Sequence, residues 1–321
     1  MADMDLLDPF VRMLDDVAGA DAVRALEAGG STRPIWQAFA DSGYLDALVA
    51  EDAGGAGLAL ADLVPLVAAL GAHALPVPVA ETMVARALLA GAGIAAPDGP
   101  IVLVSSLAQP VPAALLADHA LVDMGEALVL SPIAALMPQP TGVHGSLAAL
   151  LSGTPQGPVL ARPVGGLRPI AAVLRALLIA GAVARLTDMA CAYANDRVQF
   201  GKPIGRQQAL QQMLAVMAED MVACRIAAQL GASRWPQVPV ALAATAKITT
   251  SAAATRIAAS AHAVHGAIGI SEAYDLQLLT RRLHEWRLAD GSEGYWAGVL
   301  GTARLDHGAS TVDWVRAAIF A

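Results

Sequence analysis

The sequence predicts a mainly α-helical protein with a small β-domain in the middle of the chain. Helical periodicity runs from residue 5 to residue 92, returns after Pro169 and continues almost to the end. Between residues 97 and 165 the pattern changes to short apolar runs separated by Pro, Gly and Asp. We therefore expect an N-terminal helical domain (1–96), a middle β-domain (97–165) and a C-terminal four-helix bundle (166–321).

The N-terminal region is predicted to contain helices over residues 5–30, 33–50, 60–72 and 80–92. A glycine-rich loop at residues 51–57 separates the second helix from the third. Paired glycines can form a phosphate cradle, but no strand precedes these glycines and no Lys-Ser/Thr follows them. The loop is therefore interpreted as a structural turn.

The middle region is predicted to contain four short strands, at residues 101–104, 120–123, 127–130 and 158–160. A Met-Gly-Glu sequence between the second and third strands is expected to form a hairpin turn. Because the apolar runs are only three or four residues long, the resulting sheet is expected to be small.

A helical hairpin carries the strongest functional signal of the chain. Its first helix is predicted to end at Phe200, a Gly-Lys-Pro-Ile-Gly turn reverses the chain, and the second helix starts near Arg206. Arg197 in the last turn of the first helix then lies close to Gln207 and Gln208 at the start of the second. A guanidinium and two amides on one corner suit a phosphate-bearing ligand, although the polar residues of a hairpin can equally face water.

Two more helices complete the predicted bundle. One covers residues 240–264, and Ser271 is expected to cap the N-terminus of the next. The break after that helix is the triplet Asp290-Gly291-Ser292. Judged by spacing alone, the triplet is an ordinary turn in which Ser292 caps the following helix.

Composition limits the classes of function. Of the 321 residues, 56% are hydrophobic, largely alanine, and only 4% are aromatic, which indicates tightly packed helices. The net charge is −8 and the basic residues are scattered, so we expect neither nucleic-acid nor membrane binding. The N-terminus is acidic where a secretion signal would be basic, and charges or prolines interrupt the longest apolar runs. A soluble, cytoplasmic protein is expected.

Several reactive side chains are interpreted as structural. Cys191 and Cys224 fall within predicted helices and lack the spacing of a metal site, so we expect core thiols and no bound metal. His265 is interpreted as a structural histidine. Arg281 and Arg282 are expected to form a surface pair with acidic neighbours.

Residues 193–218 resemble a segment of the acyl-CoA dehydrogenase family, Arg-x-x-Phe-Gly-x-x-Ile-Gly-x-x-Gln, which begins here at Arg197. Two further regions are similar to family segments and occur in the same order. They are residues 38–58, followed by a proline-containing passage at 75–82, and residues 264–292. Together the three regions cover most of the chain outside the predicted β-domain.

The resemblance implies both a fold and a function. Family members have a helical domain, a β-domain and a four-helix bundle, and they use FAD to oxidise the Cα–Cβ bond of acyl-CoA thioesters. A carboxylate removes a proton from Cα while hydride leaves Cβ, and a hydrogen-bonded thioester carbonyl stabilises the developing charge. Electrons then pass to an electron-transferring flavoprotein. FAD is therefore the expected cofactor, and acyl-CoA and that flavoprotein are the expected partners.

The matching motifs also imply site residues. Arg197 would contact the FAD pyrophosphate of a neighbouring subunit, Phe200 would pack near that cofactor, and Gln208 would reach its adenosine half. Gly266 and Gly269 would allow close backbone approach, although Gly269 can equally serve to end a helix.

The family's catalytic Glu-Gly-Thr/Ser site corresponds to Asp290-Gly291-Ser292. The resemblance thus implies that Asp290 is the catalytic base and Ser292 a cofactor contact, and the turn interpretation stays open beside it.

Departures from the family pattern point to an oligomer. Ala263 and Ala267 replace a Gln and a Gly of the family's Gln-x-x-Gly-Gly motif, and the reduced middle β-domain lacks a Thr-Glu-x-x-x-Gly-Ser-Asp segment. The leading hypothesis is an FAD-associated subunit of a homo- or hetero-oligomer, including an α2β2 assembly with a second chain of the family. The alternatives are a non-catalytic scaffold subunit and a flavin monooxygenase of the same fold.

Overall fold

The computed structural model describes residues 2–199 and 201–320. It has the predicted fold class, with helices in the first and last parts of the chain and a small β-region between them. Phe200, one of the predicted cofactor contacts, lies outside the described residues.

The N-terminal region is helical but more divided than predicted. Its helices are α1 (Ala2–Val17), α2 (Ala20–Glu27), α3 (Arg33–Ser42), α4 (Val64–Ala72) and α5 (Val79–Gly91). The predicted helix over residues 5–30 is interrupted by Gly19, which has extended backbone as the N-cap of α2. The helix predicted over 33–50 ends early at Gly43, whose φ of 78° lies in the left-handed region that glycine adopts without steric cost.

The β-region contains a four-stranded sheet and a two-stranded ladder. Its strands are β1 (Ile101–Val104), β2 (His119–Asp123), β3 (Ala127–Pro132), β4 (Gln139–Pro140), β5 (Ala149–Leu150) and β6 (Val159–Ala161). The sheet order is β1-β2-β3-β6, with β1 parallel to β2 and the other pairs antiparallel, while β4 pairs with β5. All four predicted strands are present. The predicted hairpin turn joins β2 to β3, with Gly125 at a φ of 90°.

The C-terminal region is a helical bundle. It consists of α6 (Leu167–Asp196), the hairpin β7 (Val198–Gln199) and β8 (Lys202–Pro203), then α7 (Gln208–Gly231), α8 (Val240–His265), α9 (Leu276–Leu288), α10 (Glu293–Leu305) and α11 (Thr311–Ile319). Helix α8 packs against α6, α7, α9 and α10, which places it at the centre of the bundle.

Two predicted helix ends in the C-terminal region are also wrong. Helix α6 ends at Asp196 instead of Phe200, because Arg197 takes extended backbone and the chain then enters the β7–β8 hairpin. Ser271 does not cap α9. It follows a 3₁₀ turn, and the N-cap of α9 is Asp275.

Arg281 and Arg282 join the N-terminal region to α9. Both donate to the carboxylate of Glu27 at the end of α2, over 2.6 and 2.9 Å. The expected pairing with an acidic residue is therefore present, but Arg282 is buried rather than on the surface. A buried ion pair of this kind holds the two helices in register.

Two glycines allow α4 and α6 to touch. A Cβ at Gly71 would lie 2.0 Å from the carbonyl oxygen of Leu178, and a Cβ at Gly181 would lie 1.8 Å from that of Ala68. No side chain fits at either position, so the two backbones are in direct contact. Helix α6 is also the one described helix whose length and mean hydropathy would suffice to cross a membrane, and 89% of its most apolar 18-residue window is buried in the protein.

The α4–α6 contact predicts opposite effects of alanine at two helical glycines. Gly181→Ala should lower the free energy of unfolding by about 2–3 kcal/mol, because the new methyl group forces the backbones apart. Gly298→Ala in α10, where a Cβ would meet nothing within 4 Å, should raise it by about 0.5–1 kcal/mol. Urea denaturation measures both, and equal effects at the two positions would contradict the close contact.

Candidate active site

Asp290 lies in the turn between α9 and α10, as predicted, and its side chain is buried. Both carboxylate oxygens are engaged. The hydroxyl of Ser105, which follows β1, donates to Oδ1 over 2.7 Å, and Nε of Arg175 donates to Oδ2 over 3.2 Å. The carboxylate is thus held from the β-region on one side and from α6 on the other.

The backbone of this turn is equally constrained. Asp290 and Gly291 have φ values of 56° and 103°. The indole Nε1 of Trp296 donates to the carbonyl of Asp290 over 3.0 Å, and a Cβ at Gly291 would lie 2.7 Å from that nitrogen. Ser292 accepts the N–H of Tyr295 over 3.4 Å, which confirms the predicted helix cap. The role of Ser292 as a cofactor contact stays a prediction.

Arg175 connects Asp290 to a second buried carboxylate. Its Nη1 donates to Glu81 Oε1 over 2.5 Å, so one guanidinium pairs with acidic groups from α5 and from the α9–α10 turn. Burial disfavours the charge, but the adjacent carboxylates outweigh this effect and raise the pKa of Arg175 above its usual value. The guanidinium is therefore permanently charged.

Lys247 lies in α8 and is fully buried. Its Nζ donates to the carbonyls of Trp286 and Arg287 in the last turn of α9, over 2.5 and 2.8 Å, and to the hydroxyl of Ser251 over 3.2 Å. These bonds satisfy carbonyls that the helix end leaves free, and they fix α9 directly before Asp290. Burial lowers the pKa of Lys247 to about 7, and the charge of Asp290 opposes this shift.

An apolar cavity of about 420 Å³ lies beside these charges, between the β-region and α9. Its walls include Pro112 and Leu288, with Gln109 and Glu285 among the polar lining residues. Gln109 donates to the hydroxyl of Ser105 over 3.3 Å, and Ser105 in turn donates to Asp290. A hydrogen-bonded chain thus runs from the cavity wall to the buried carboxylate. The volume is typical of small-molecule sites.

Arg197 and Gln208 lie on an exposed corner at the other end of the bundle. Arg197 follows the last residue of α6, Gln208 is the first residue of α7, and both are exposed. The hairpin between them adds Lys202 and Arg206, also exposed. Within the described part of the chain, the guanidinium of Arg197 has no hydrogen-bond or ion-pair partner. The corner is therefore positively charged and accessible.

The glycines of the third resembling region differ from each other. Gly266 ends α8 with a φ of 61° and has open space around its Cα. Gly269 is buried, and a Cβ there would lie 3.0 Å from side-chain atoms of His265 and Leu276, so it serves close packing. His265 stacks on Tyr193 near the end of α6, with ring centroids 4.6 Å apart. This stacking brings Gly266 to the same end of the bundle as Arg197. Cofactor contacts of both glycines stay predictions.

The predicted site residues therefore fall into two groups. Asp290 and Ser292 lie near Arg175 in the first part of α6, whereas Arg197 follows its last residue. At about 1.5 Å per residue, the positions of Arg175 and Arg197 are about 33 Å apart along the helix axis. The chain does not bring the predicted base and the predicted pyrophosphate contact together.

A metal site is not part of either group. Among residues 2–199 and 201–320, no cluster of three or more His, Cys, Asp or Glu side chains could hold a metal ion. Cys224 is buried and Cys191 is partly buried, and both thiols are free.

Comparison with known proteins agrees with this fold. Residues 170–303 match the family described as "Acyl-CoA dehydrogenase, C-terminal domain". Acyl-CoA dehydrogenase IpdE2 of Mycobacterium tuberculosis is 31% identical over 283 residues, which cover 83% of this chain and 86% of the relative. Acyl-CoA dehydrogenase IpdE2 of Mycolicibacterium smegmatis is 28% identical over 288 residues, covering 87% and 91%.

Solved structures show the same fold. The ChsE4-ChsE5 complex from Mycobacterium tuberculosis includes a chain that superposes with a TM-score of 0.80 at 22% identity, covering 96% of this chain and 98% of that one. The Tcur3481-Tcur3483 steroid ACAD gives 0.81 at 22% identity, covering 96% and 99%. The family matches define the class as an oxidoreductase that acts on the CH–CH group of acyl-CoA. The chain belongs to the acyl-CoA dehydrogenase family.

Sequence reasoning missed the partners of Asp290. Arg175 and Lys247 are single charges within long apolar or alanine-rich helical stretches, and such isolation is a signal that a charge is buried and paired. Glu81 and Ser105 carry no comparable signal, because acidic residues and serines are common near helix starts and strand ends.

The buried lysine predicts a stability that rises with pH. The folded protein releases the Lys247 proton near pH 7, whereas the unfolded chain keeps it to about pH 10.4. Between these values the unfolded state binds more protons, so the free energy of unfolding should increase with pH, by at most about 1.4 kcal/mol per pH unit from this residue.

Urea denaturation at pH 7, 8 and 9 measures this slope. It should be smaller in Lys247→Met and unchanged in Lys202→Met, which alters an exposed lysine. Identical slopes in wild type and Lys247→Met would contradict the assignment.

Proposed function

We propose that this chain is an FAD-associated subunit of a hetero-oligomeric acyl-CoA dehydrogenase. The assembly would carry out α,β-dehydrogenation of an acyl-CoA thioester and pass the electrons to an electron-transferring flavoprotein. In this arrangement each chain binds ligands at two places, the cavity beside α9 and the exposed corner around Arg197. The Arg197 corner would contact an FAD molecule that is bound mainly by a neighbouring chain.

The observation that carries the proposal is the separation of the two groups of site residues. Arg175, which contacts Asp290, and Arg197 are about 33 Å apart along α6. No side chain spans that distance. A second chain is therefore needed to bring a corner like that of Arg197 to the cavity side of the molecule.

The residues at each place fit parts of FAD. A guanidinium, an ammonium and exposed amides at the Arg197 corner suit a diphosphate, because charge-assisted hydrogen bonds to phosphate oxygens are strong and directional. The apolar cavity beside α9 suits a planar ring or an acyl group. When bound, FAD supplies the hydride acceptor of the reaction. The chain's own residues would bind and orient the ligands and exclude water.

Relatives and neighbours support an unlike partner. The ChsE4-ChsE5 structure is a complex of two chains, and the Tcur3481-Tcur3483 neighbour is described as a steroid ACAD. We infer that the partner here is also a chain of the same family, and that the acyl group is bulky and apolar. The apolar lining of the 420 Å³ cavity is consistent with such a group.

The visible spectrum of the purified protein tests this proposal. The chain expressed alone is expected to carry little flavin, and the chain co-expressed with family members encoded near it is expected to be yellow. Acyl-CoA should bleach the flavin of the complex, and an electron-transferring flavoprotein should restore it. Full flavin occupancy in the chain alone would contradict the shared cofactor site. Rapid peroxide formation without bleaching by acyl-CoA would indicate the monooxygenase alternative.

The Arg197 corner predicts a specific loss of flavin binding. Arg197→Gln should weaken retention of FAD by the complex about 10- to 100-fold, because one charge-assisted contact to the pyrophosphate is lost. Equilibrium dialysis with FAD measures this change. Arg33→Gln, at an exposed arginine in the first turn of α3, should leave FAD affinity unchanged. Equal affinities of the two variants would contradict the role of Arg197.

A further inference from the structure

We propose that the cavity between α1, α4, α6 and α9 is a binding site for a monocarboxylate with an apolar body, and that Arg185 binds the carboxylate. The cavity has a volume of about 380 Å³, which is typical of small-molecule sites. It shares no lining residue with the cavity beside α9 and does not include the Arg197 corner. The site is therefore additional to the two places of the proposed function and does not depend on that function.

The cavity lies where the N-terminal region meets the bundle. Helices α1 and α4 form one wall, and α6 and the first turn of α9 form the other. Arg185 in α6 is ten residues after Arg175 and twelve before Arg197. At about 1.5 Å per residue, its position is about 15 and 18 Å from theirs along the helix axis. A ligand bound here is thus remote from both groups of predicted site residues.

The inner wall of the cavity is apolar. Ala18, Leu278 and Leu279 are buried, and Val11 and Met189 are partly buried. Moving hydrocarbon from water onto such a wall is favourable, because apolar surface is removed from solvent. The wall therefore suits a ligand with an apolar body, whereas a small hydrated anion gains little from it.

Arg185 supplies an unpaired positive charge to this cavity. Within the described part of the chain, its guanidinium has no hydrogen bond or ion pair. The carboxylates of the lining are already engaged, because Asp15 lies 3.0 Å from Nε2 of His73 and Asp275 accepts a bond from Arg24 over 2.7 Å. A guanidinium left without an acidic partner can bind a carboxylate through two parallel N–H···O bonds.

The start of α2 adds hydrogen-bond donors to the same cavity. Gly19, the N-cap of α2, and Ala20, its first residue, both line the cavity. Among residues 2–199 and 201–320, no side chain caps this helix end, so N–H groups of the first turn remain available to a ligand. The N-terminus of a helix also favours negative charge. This helix end and Arg185 therefore select for an anion together.

The charges of the lining exclude other classes of ligand. A cation would face Arg185 and the N-terminus of α2, while both carboxylates of the lining already have partners. A doubly charged phosphate would be repelled by Asp15 and Asp275, which lie in the same lining. A single negative charge on an apolar body fits the cavity better than either.

Calorimetric titration of the full-length chain with octanoate and with naphthoate tests this site. Both acids should bind. Octanol and naphthalenemethanol, which lack the charge, should bind about 10- to 100-fold more weakly, because the contact with the guanidinium is lost. Acetate, which lacks the apolar body, should not bind. Failure of both acids to bind, or equal affinities for the acids and their alcohols, would overturn the proposal.

Variants of the lining locate the bound acids. Arg185→Gln should weaken the binding of both acids about 10- to 100-fold, and Ala72→Leu should also weaken it by narrowing the cavity. Arg33→Gln is the matched control, because Arg33 is exposed and lies outside the lining, and it should leave the affinity unchanged. Since Arg185 is also exposed, thermal unfolding should show an unaltered fold in Arg185→Gln. Equal affinities of Arg185→Gln and wild type would contradict the site.

A further variant distinguishes this cavity from the cavity beside α9. Leu288→Glu places a negative charge in the lining of the 420 Å³ cavity, and it should leave the binding of the acids unchanged. Weaker binding in Leu288→Glu but not in Arg185→Gln would place the acids beside α9 and overturn the proposal. These titrations need no flavin, acyl-CoA or second chain, so their outcome is independent of the proposed function.

Discussion

The ion pairs of Arg175 join three parts of the chain that are far apart in sequence. The guanidinium bonds to Glu81, 94 residues earlier, and to Asp290, 115 residues later. Because a buried charge without partners is very unfavourable, α5, α6 and the α9–α10 turn must assemble together. Lys247 adds the central helix α8 through the carbonyls at the end of α9. The position of the candidate active-site turn follows from these contacts.

Small residues make this arrangement possible. Alanine and glycine let α4, α6 and α8 approach one another closely. The direct backbone contact at Gly71 and Gly181 leaves no free volume between α4 and α6. Larger spaces lie at the edges of the helices: a cavity of about 420 Å³ between the β-region and α9, and one of about 380 Å³ lined by α1, α4, α6 and α9. Ligand binding is accordingly expected at the margins of the helical core.

Local features of this fold could be predicted from the sequence, and long-range ones could not. Helices and strands were identified because their hydrophobic periodicity is a property of neighbouring residues. The corner at Arg197 and the capping role of Ser292 were also local, and the structure has both. Predicted helix boundaries were wrong where the backbone conformation of one residue interrupts the helix, as at Gly19 and after Asp196.

The surroundings of Asp290, the predicted base, are a long-range feature that could not be predicted. Asp290 was found through a family motif, but its hydrogen bonds come from Ser105 and Arg175, which are 185 and 115 residues away in sequence. No spacing rule connects such positions. A single charge in an otherwise apolar helix indicates that some partner exists, and only the tertiary structure identifies Glu81 and Asp290 as the partners of Arg175.

The exposed hairpin between α6 and α7 has an evolutionary consequence. If the Arg197 guanidinium binds a cofactor that is held by another polypeptide, a substitution at Arg197 changes the activity of that other polypeptide. Natural selection then acts on Arg197 through the function of a different gene product. The two genes would then be retained or lost together, and a substitution in one could be compensated in the other. Co-inheritance across genomes, rather than conservation within either chain alone, would be the mark of that dependence.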